Sequence, residues 1–482
     1  MQIPTLPEDP VFERKIESTI RRHFESADQR ILLIEGARQI GKTYTIRRMG
    51  KACFKHFVEI NMVQDIEGEK LFADIHSTKD LYYTVQSIAE EPLGDYGDTL
   101  VFLDEIQEYP HLFTLMKFLG EEKRYRFIAS GSLLGVEFRR TASIPVGSVS
   151  VRRMYPMDLE EFLWANGVSK ELIAEVRSQI DSGGPVTDGV HKRFMDLFRD
   201  YLISGGLPGC LSLFLRDRDL VSLRDAQSDI FRMYANDASK YDLEHRSHTR
   251  AILDMIPSSI ENKRKRIFVK DIEGKEKARF SDYKDDFDDL VDSGVVLLTA
   301  CCSKPAFPLR ESAKRNLLKL YLADVGLLTG ILYRYNAKPL REDLPQISLG
   351  SVYECFTAMQ LASSGCDLYY SDSKAAGEVD FLIDDYDSLS IVAIEVKSGK
   401  DPRRRNALDR LMGSPTPPSK GFVLSNSGDV VIDGDVRYLP IYAAMFLGQG
   451  RNRGRVFIGM RLSTRRYRCL HWESRGPPTP WA

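Results

Sequence analysis

Eight residues, GARQIGKT at positions 36–43, restrict the fold of this chain more than any other stretch. They match G-x-x-x-x-G-K-[ST] without a mismatch, with the apolar run ILLIE before them and a helical pattern from about Lys42. Such a loop needs a buried strand on one side and the first turn of a helix on the other. There its glycines let backbone N–H groups turn inward around an anion, and the helix N-terminus adds a favourable dipole. The runs HFVEIN (56–61), TLVFLDE (99–105) and RFIAS (126–130) alternate with helical stretches. That order predicts an α/β unit with a mostly parallel sheet and helices on both faces. A helix over 11–27, with Phe12, Ile16 and Ile20 spaced four apart, is expected before it.

The loop dictates its chemistry. Gly36, Ala37, Arg38, Gln39 and Ile40 are expected to wrap a nucleoside triphosphate, taken as ATP, with backbone amides, and Gly41 opens the helix. Lys42 is placed to reach the β- and γ-phosphates, and the Thr43 hydroxyl to ligate Mg2+. In TLVFLDEIQEYP a buried strand delivers two carboxylates at its C-terminal end, where open α/β sheets place ligand chemistry. Asp104 is read as holding Mg2+ and Glu105 as polarising the attacking water, although a solvated strand end gives the same pattern. Ser130, ending the next strand, would sense the γ-phosphate or orient water, or simply begin a serine-glycine turn. Arg124, Arg126, Arg139 and Arg140 are candidates for a charge-stabilising finger given to a neighbouring subunit, and the sequence does not choose among them.

Downstream the pattern changes twice. From Pro156 it is helical, and DLEEFLWANG and KRFMDLFRDYLISGGLPG both stop at glycine. Residues 280–330 read as two helices around a short β-hairpin, an order compatible with a winged helix-turn-helix. A further α/β unit begins near Gly350, and after Gly450 the chain carries eight arginines, no lysine and one acid, Glu473. The expected division is a P-loop domain at 1–151, a helical region at 152–345, an α/β domain at 346–450 and an arginine-rich tail at 451–482, expected to be poorly ordered.

Taken together, GARQIGKT, LDEIQEYP, the SGS after a strand, YPMDLEEFLWANG, YLISGGLPGC and YLADVGLL resemble blocks that occur in this order in a group of bacterial and archaeal AAA-type ATPases. The resemblance covers roughly residues 10–445 and implies a C-terminal restriction-endonuclease-like domain of poorly characterised function. Many members carry Gly-Arg where this chain has Gly147-Ser148, which puts an arginine role there in doubt and leaves Arg152 or Arg153 as substitutes.

The C-terminal unit has its own candidate centre. In IVAIEVKSG (391–399) apolar Val392, Ile394 and Val396 alternate with Ala393, Glu395 and Lys397, a strand expected to bury one face. GEVDFLID alternates too, so adjacent strands would present Asp380, Glu395 and Lys397 side by side. This set resembles the PD-(D/E)xK nuclease core, in which two carboxylates hold Mg2+ against a phosphodiester and the lysine steers the attacking water. Glu354 looks like that family's helical glutamate and a further ligand. The competing reading is a surface ion pair on a half-solvated sheet.

Composition bounds the partners. A net charge of −2 gives no global nucleic-acid signal, so such binding needs a local basic surface, for which ENKRKRIFVK (261–270) is a candidate. Seven cysteines without repeated spacing, no apolar run near the ~18 residues of a membrane span, and an opening MQIPTLPEDPVFERK unlike a secretory signal favour a cytoplasmic protein without membrane partners. The resulting expectation is Mg2+-dependent ATP hydrolysis coupled to a nuclease-like domain acting on nucleic acid, with a homo-oligomer allowed. The alternative is a nucleotide-gated switch or binding protein whose nuclease-like fold is inactive.

Overall fold

The computed structural model describes residues 11–132, 147–238, 246–261, 266–274, 278–342, 344, 347–373, 377–399 and 405–448. The expected tail at 451–482, Arg139, Arg140 and residues 262–265 of the basic segment lie outside the described residues, while Arg266, which closes that segment's KRKR, pairs with Asp372.

Two sheets organise the chain. The first contains β1 (Ile31–Glu35), β2 (His56–Asn61), β3 (Thr99–Asp104), β4 (Arg126–Gly131) and β5 (Val149–Arg153), in the order β2-β3-β4-β1-β5. Every pairing in it is parallel. Strands β1 and β3 read as nearly continuous apolar runs because both of their faces are covered, whereas β2 and β5 are only partly buried. Leu32, Ile34, Leu100, Phe102 and Ile128 join a core shared with the downstream helices, while Leu33, Val101, Leu103 and Phe127 join a second core on the other face. The period of two thus decides which face each side chain serves.

The second sheet has eight strands: β6 (Val296–Cys302), β7 (Ala313–Leu322), β8 (Leu368–Ser373), β9 (Gly377–Asp385), β10 (Ser390–Val396), β11 (Lys420–Ser425), β12 (Val431–Asp433) and β13 (Val436–Pro440). Their order is β12-β13-β11-β10-β9-β8-β6-β7, with parallel and antiparallel pairings mixed. The hairpin expected as part of a winged helix is β6 and β7, and helices Arg246–Glu261, Val269–Glu273 and Lys284–Asp292 do precede it. It is not a free wing, however. Strand β6 pairs in parallel with β8, so the sheet starts at Val296, well before the position 346 drawn from sequence. The reason is burial: β6, apolar except for Thr299, is buried along its whole length, so its backbone N–H and C=O groups need a partner strand on each edge.

A buried aspartate ties three of the recurring blocks together. Asp324 caps the helix Val325–Tyr333 by accepting from the Leu327 N–H at 3.0 Å, and its other oxygen accepts from the Gly206 N–H at 2.7 Å. Gly206 in turn exchanges backbone contacts with Met157, whose N–H donates to the Gly206 carbonyl at 2.7 Å. A Cβ at Gly206 would lie 2.0 Å from the Met157 carbonyl oxygen, so only glycine fits. Burial pushes the Asp324 carboxyl up to about 6, against the N–H groups of Gly206, Leu327 and Gly326, which favour its charged form. The YPMD, ISGG and ADVG blocks therefore meet at one knot. No helix among the described residues is long and apolar enough to cross a membrane.

Candidate functional site

The chain leaves β1 through Gly36, whose φ of 148° and approach to Met154 exclude a side chain: a Cβ would stand 2.3 Å from the Met154 carbonyl oxygen. Gln39 (φ 65°) and Gly41 (φ 91°) are also left-handed, which curls the loop before the helix Lys42–Cys53 begins. Lys42 is buried, and its Nζ donates to the carbonyls of Gly36 and Ala37, both at 2.9 Å. Burial pushes its ammonium pKa down, while the carboxylates of Glu105 and Asp104 pull it back up.

At the end of β3, Asp104 gathers hydroxyls. Thr43 Oγ1 donates to its Oδ2 at 2.9 Å, Ser130 Oγ donates to Oδ1, and Asn61 Nδ2 donates to Oδ2 at 3.4 Å. Burial raises the Asp104 pKa, and the Ser130 and Thr43 hydroxyls work against that shift by stabilising the anion. Glu105 follows in a left-handed conformation (φ 53°), and its Oε2 accepts from Gln107 Nε2 at 2.5 Å and Ser132 Oγ at 3.0 Å. Lys42, Thr43, Asn61 and Glu105 all line one cavity of about 740 Å3. Phe12 from the N-terminal segment and Pro208, Gly209 and Met233 from the helical region line it as well.

Of the residues expected from sequence, Arg38, Gln39, Gly41, Lys42, Thr43 and Glu105 line this cavity, while Asp104 lies behind it on Thr43, and Gly36, Ala37 and Ile40 are not in its lining. Ser130 is fully buried and its hydroxyl is turned onto Asp104. Asn61, Gln107 and Ser132 were not foreseen. A polar residue closing HFVEIN, beside the strand that carries Asp104, was the available signal for Asn61. The described candidates for a finger given to a neighbouring subunit, and their substitutes, all contact their own chain. Arg124 lies over the rings of Tyr82 and Tyr125, Arg126 donates to the Phe24 carbonyl, and Arg152 donates to that of Val151. Arg153 pairs with Glu35 at 2.8 Å, and none of these four lines the cavity.

The C-terminal cluster also assembles. Ile394 pairs with Phe381 across β9 and β10, which puts Asp380 beside Glu395. The Val396 N–H donates to Asp380 Oδ2 at 2.7 Å, and Lys397 Nζ donates to Glu395 Oε1 at 2.6 Å. Glu354, on the helix Gly350–Ser363, accepts from the Tyr321 hydroxyl at 3.0 Å. Two expectations need correction here. Strand β10 is buried on both faces, and the Glu395–Lys397 ion pair is at the surface only through its lysine: the Lys397 side chain is 26% and that of Glu395 8% exposed. Small Ala393 and the helices Gly350–Ser363 and Asn406–Met412, both in contact with β10, leave no half-solvated face. Burial, and then the neighbouring Asp380, push the Glu395 carboxyl up to about 8, against the pull of Lys397. Glu395 Oε2 is buried without a hydrogen-bond partner. Among the described residues no group of three or more His, Cys, Asp or Glu side chains is arranged to hold a metal ion, so Glu354 does not complete a cage with the other two.

Comparison with known proteins follows the same division. The family described as "AAA domain" matches residues 28–163, so this part of the chain is an AAA-type P-loop ATPase domain with a nucleotide-binding fold. Two domains of unknown function match residues 195–337 and 349–444. No curated protein matches the chain. Among solved structures, the Walker-type ATPase paby2304 of Pyrococcus abyssi is 14% identical over 68% of this chain and 98% of its own, with a TM-score of 0.42. The Thermotoga maritima RuvB Holliday junction branch migration motor is 14% identical over 59% of this chain and 89% of its own, with a TM-score of 0.28. The S. cerevisiae Hsp104–ADP complex is 13% identical over 59% of this chain and 43% of its own, with a TM-score of 0.28.

Proposed function

We propose that this protein hydrolyses ATP with Mg2+ and couples its nucleotide state to a C-terminal nuclease-like unit that acts on nucleic acid. The observation that carries the reading is the meeting of Lys42, Thr43 and Glu105 at one cavity, with Asp104 hydrogen-bonded to Thr43 behind it. Amides of the curled loop bind the phosphates, and Lys42, now on the loop's own carbonyls, has a buried ammonium to offer them. Thr43 Oγ1 and Asp104 Oδ2, hard oxygens in mutual contact, suit Mg2+, which when bound neutralises phosphate charge. Glu105 accepts the proton of a water attacking the terminal phosphorus as the bond to the bridging oxygen breaks, and Gln107 and Ser132 orient its carboxylate. Phosphate release should require Mg2+ and collapse in Glu105→Gln, while that variant still binds ATP. Turnover at the wild-type rate in Glu105→Gln would remove the assigned role.

For the C-terminal unit, the convergence of Asp380, Glu395 and Lys397 supports a phosphodiester-directed site. The described donors fall short of a metal cage. That shortfall and the burial of both carboxylates favour a second reading, a nucleotide-gated binding protein that does not cut. Plasmid DNA and RNA incubated with Mg2+ or Mn2+ and ATP separate the two. Metal-dependent nicking lost in Lys397→Ala supports cutting, and intact substrates throughout support the switch.

A further inference from the structure

Three described arginines line the nucleotide cavity: Arg14, Arg38 and Arg47. Two of them are committed to the protein. Arg14 is buried, donating to the carbonyls of Ile40 and Tyr155 at 2.7 Å each and pairing with Glu161 at 3.2 Å. Arg47 holds Glu59 through two bonds of 2.6 and 2.5 Å. Arg38 differs. It sits inside the phosphate loop itself, its side chain is 28% exposed, and its Nη1 lies 2.9 Å from Asp237 Oδ2 and 3.2 Å from Oδ1.

The position of Arg38 within the cavity is informative. Its Nε stands 3.5 Å from Ser132 Oγ, and that hydroxyl donates to Glu105. The guanidinium is thus at the end of the loop where Glu105 lies, which is the terminal-phosphate end if Glu105 works on the attacking water. The backbone of Arg38 is fixed separately, because the Tyr234 hydroxyl donates to its carbonyl at 2.7 Å. Tyr234 and Asp237 both belong to the helix Leu220–Ala238, so one helix holds the residue at its carbonyl and at its guanidinium. With the backbone pinned, the side chain can change partners without moving the loop.

We infer that Arg38 is a sensor of the terminal phosphate, held on Asp237 until a nucleoside triphosphate takes its guanidinium from that carboxylate. The inference rests on the reading of the cavity as an ATP site. A planar guanidinium fork matches carboxylate and phosphate oxygens alike, and a terminal phosphate offers more charge than one carboxylate. A diphosphate does not reach Arg38 and leaves the pair in place. The exchange therefore links occupancy of the terminal-phosphate position to the helix Leu220–Ala238, and no residue from a second subunit is needed.

The test is the affinity of the full chain for ATPγS and for ADP, each with Mg2+, by calorimetry. In Arg38→Ala the ATPγS affinity should fall about tenfold while ADP changes by less than about twofold, a coupling within the ordinary allosteric range. In Asp237→Asn the ATPγS affinity should rise several-fold, because the competing carboxylate is gone, with ADP again unmoved. Arg38→Lys should recover part of the loss, since a point charge keeps the attraction without the fork. A brace between loop and helix would instead move both variants in the same direction and affect both nucleotides alike. Shifts of equal sign, equal effects on ADP, or no shift in either variant would overturn the inference. A wild-type chain that binds neither nucleotide would overturn the ATP reading itself, a result distinct from these.

Discussion

The loop cavity and the C-terminal cluster both bring carboxylates to a lysine, yet they are built in opposite ways. Around Lys42 the backbone is turned by left-handed residues and opens onto about 740 Å3 of space. Around Lys397 the backbone is regular strand, and Asp380 and Glu395 are more than nine-tenths buried. Burial raises both carboxyls, but at Asp104 the Ser130 and Thr43 hydroxyls work against the shift, whereas Glu395 is pushed up to about 8 by burial and Asp380 against the pull of Lys397. The first region is organised to receive a charged ligand. The second is closed over its carboxylates, whose burial as a pair is costly unless one of them is neutralised.

Four measurements would break or sharpen that contrast. The largest effect is expected in Glu105→Gln, where kcat should fall by about 10²–10⁴-fold, the usual range for removing a general base. Retained kcat would place the proton acceptor elsewhere. Lys42→Ala should weaken ATP binding by roughly 100-fold, as expected for losing a charged hydrogen-bond donor worth up to about 3 kcal/mol. Calorimetry showing unchanged affinity would leave the cavity without its cation.

Asp324→Asn probes the joint between the two regions. An amide there turns an N–H group towards one of two backbone donors, so unfolding in urea should lose about 1–3 kcal/mol. The pH dependence has a definite sign. The folded carboxyl, raised to about 6 from an unfolded 3.8, contributes a stability fully present below the lower value and lost as pH rises through the upper one. The advantage of the wild type over Asp324→Asn should therefore shrink from pH 4 to pH 7, and a constant or growing gap would contradict the burial argument. The smallest effect belongs to Lys397→Ala, which should leave ATP affinity within about twofold, as distant independent sites do. A larger change would mean that the two regions are energetically one.

How much of this was legible in the sequence follows from the range of each signal. The loop and four of the five strands of the first sheet are local patterns, and a period of two even sorts Leu32 from Leu33 between the two cores, but β5, short and ending in two arginines, was not expected. Asp380 and Glu395 were legible as a pair because only a short turn separates their strands. The burial of both faces of β10 was not, since alternation with small Ala393 and charged Glu395 looks the same whether a helix or water covers it. Nor could the sequence join β6 to β8, or Arg38 to Asp237, contacts set by how distant elements stack. The ISGG and ADVG blocks were visible as blocks, but their purpose appears only when Gly206 is seen against Met157 and Asp324.

The pairing of β6 with β8 has a mechanical consequence. The helix Lys284–Asp292 leads directly into β6, and the turn between them touches the phosphate loop: a methyl at Gly294 would stand 3.1 Å from the Ala37 nitrogen. Arg153, at the end of β5, reaches the Val291 carbonyl at 3.5 Å just before that turn. Hydrogen bonds run without interruption from β6 through β8 and β9 to the strand carrying Glu395. The phosphate loop and the strand ahead of the far lysine are thus joined by a continuous run of backbone neighbours.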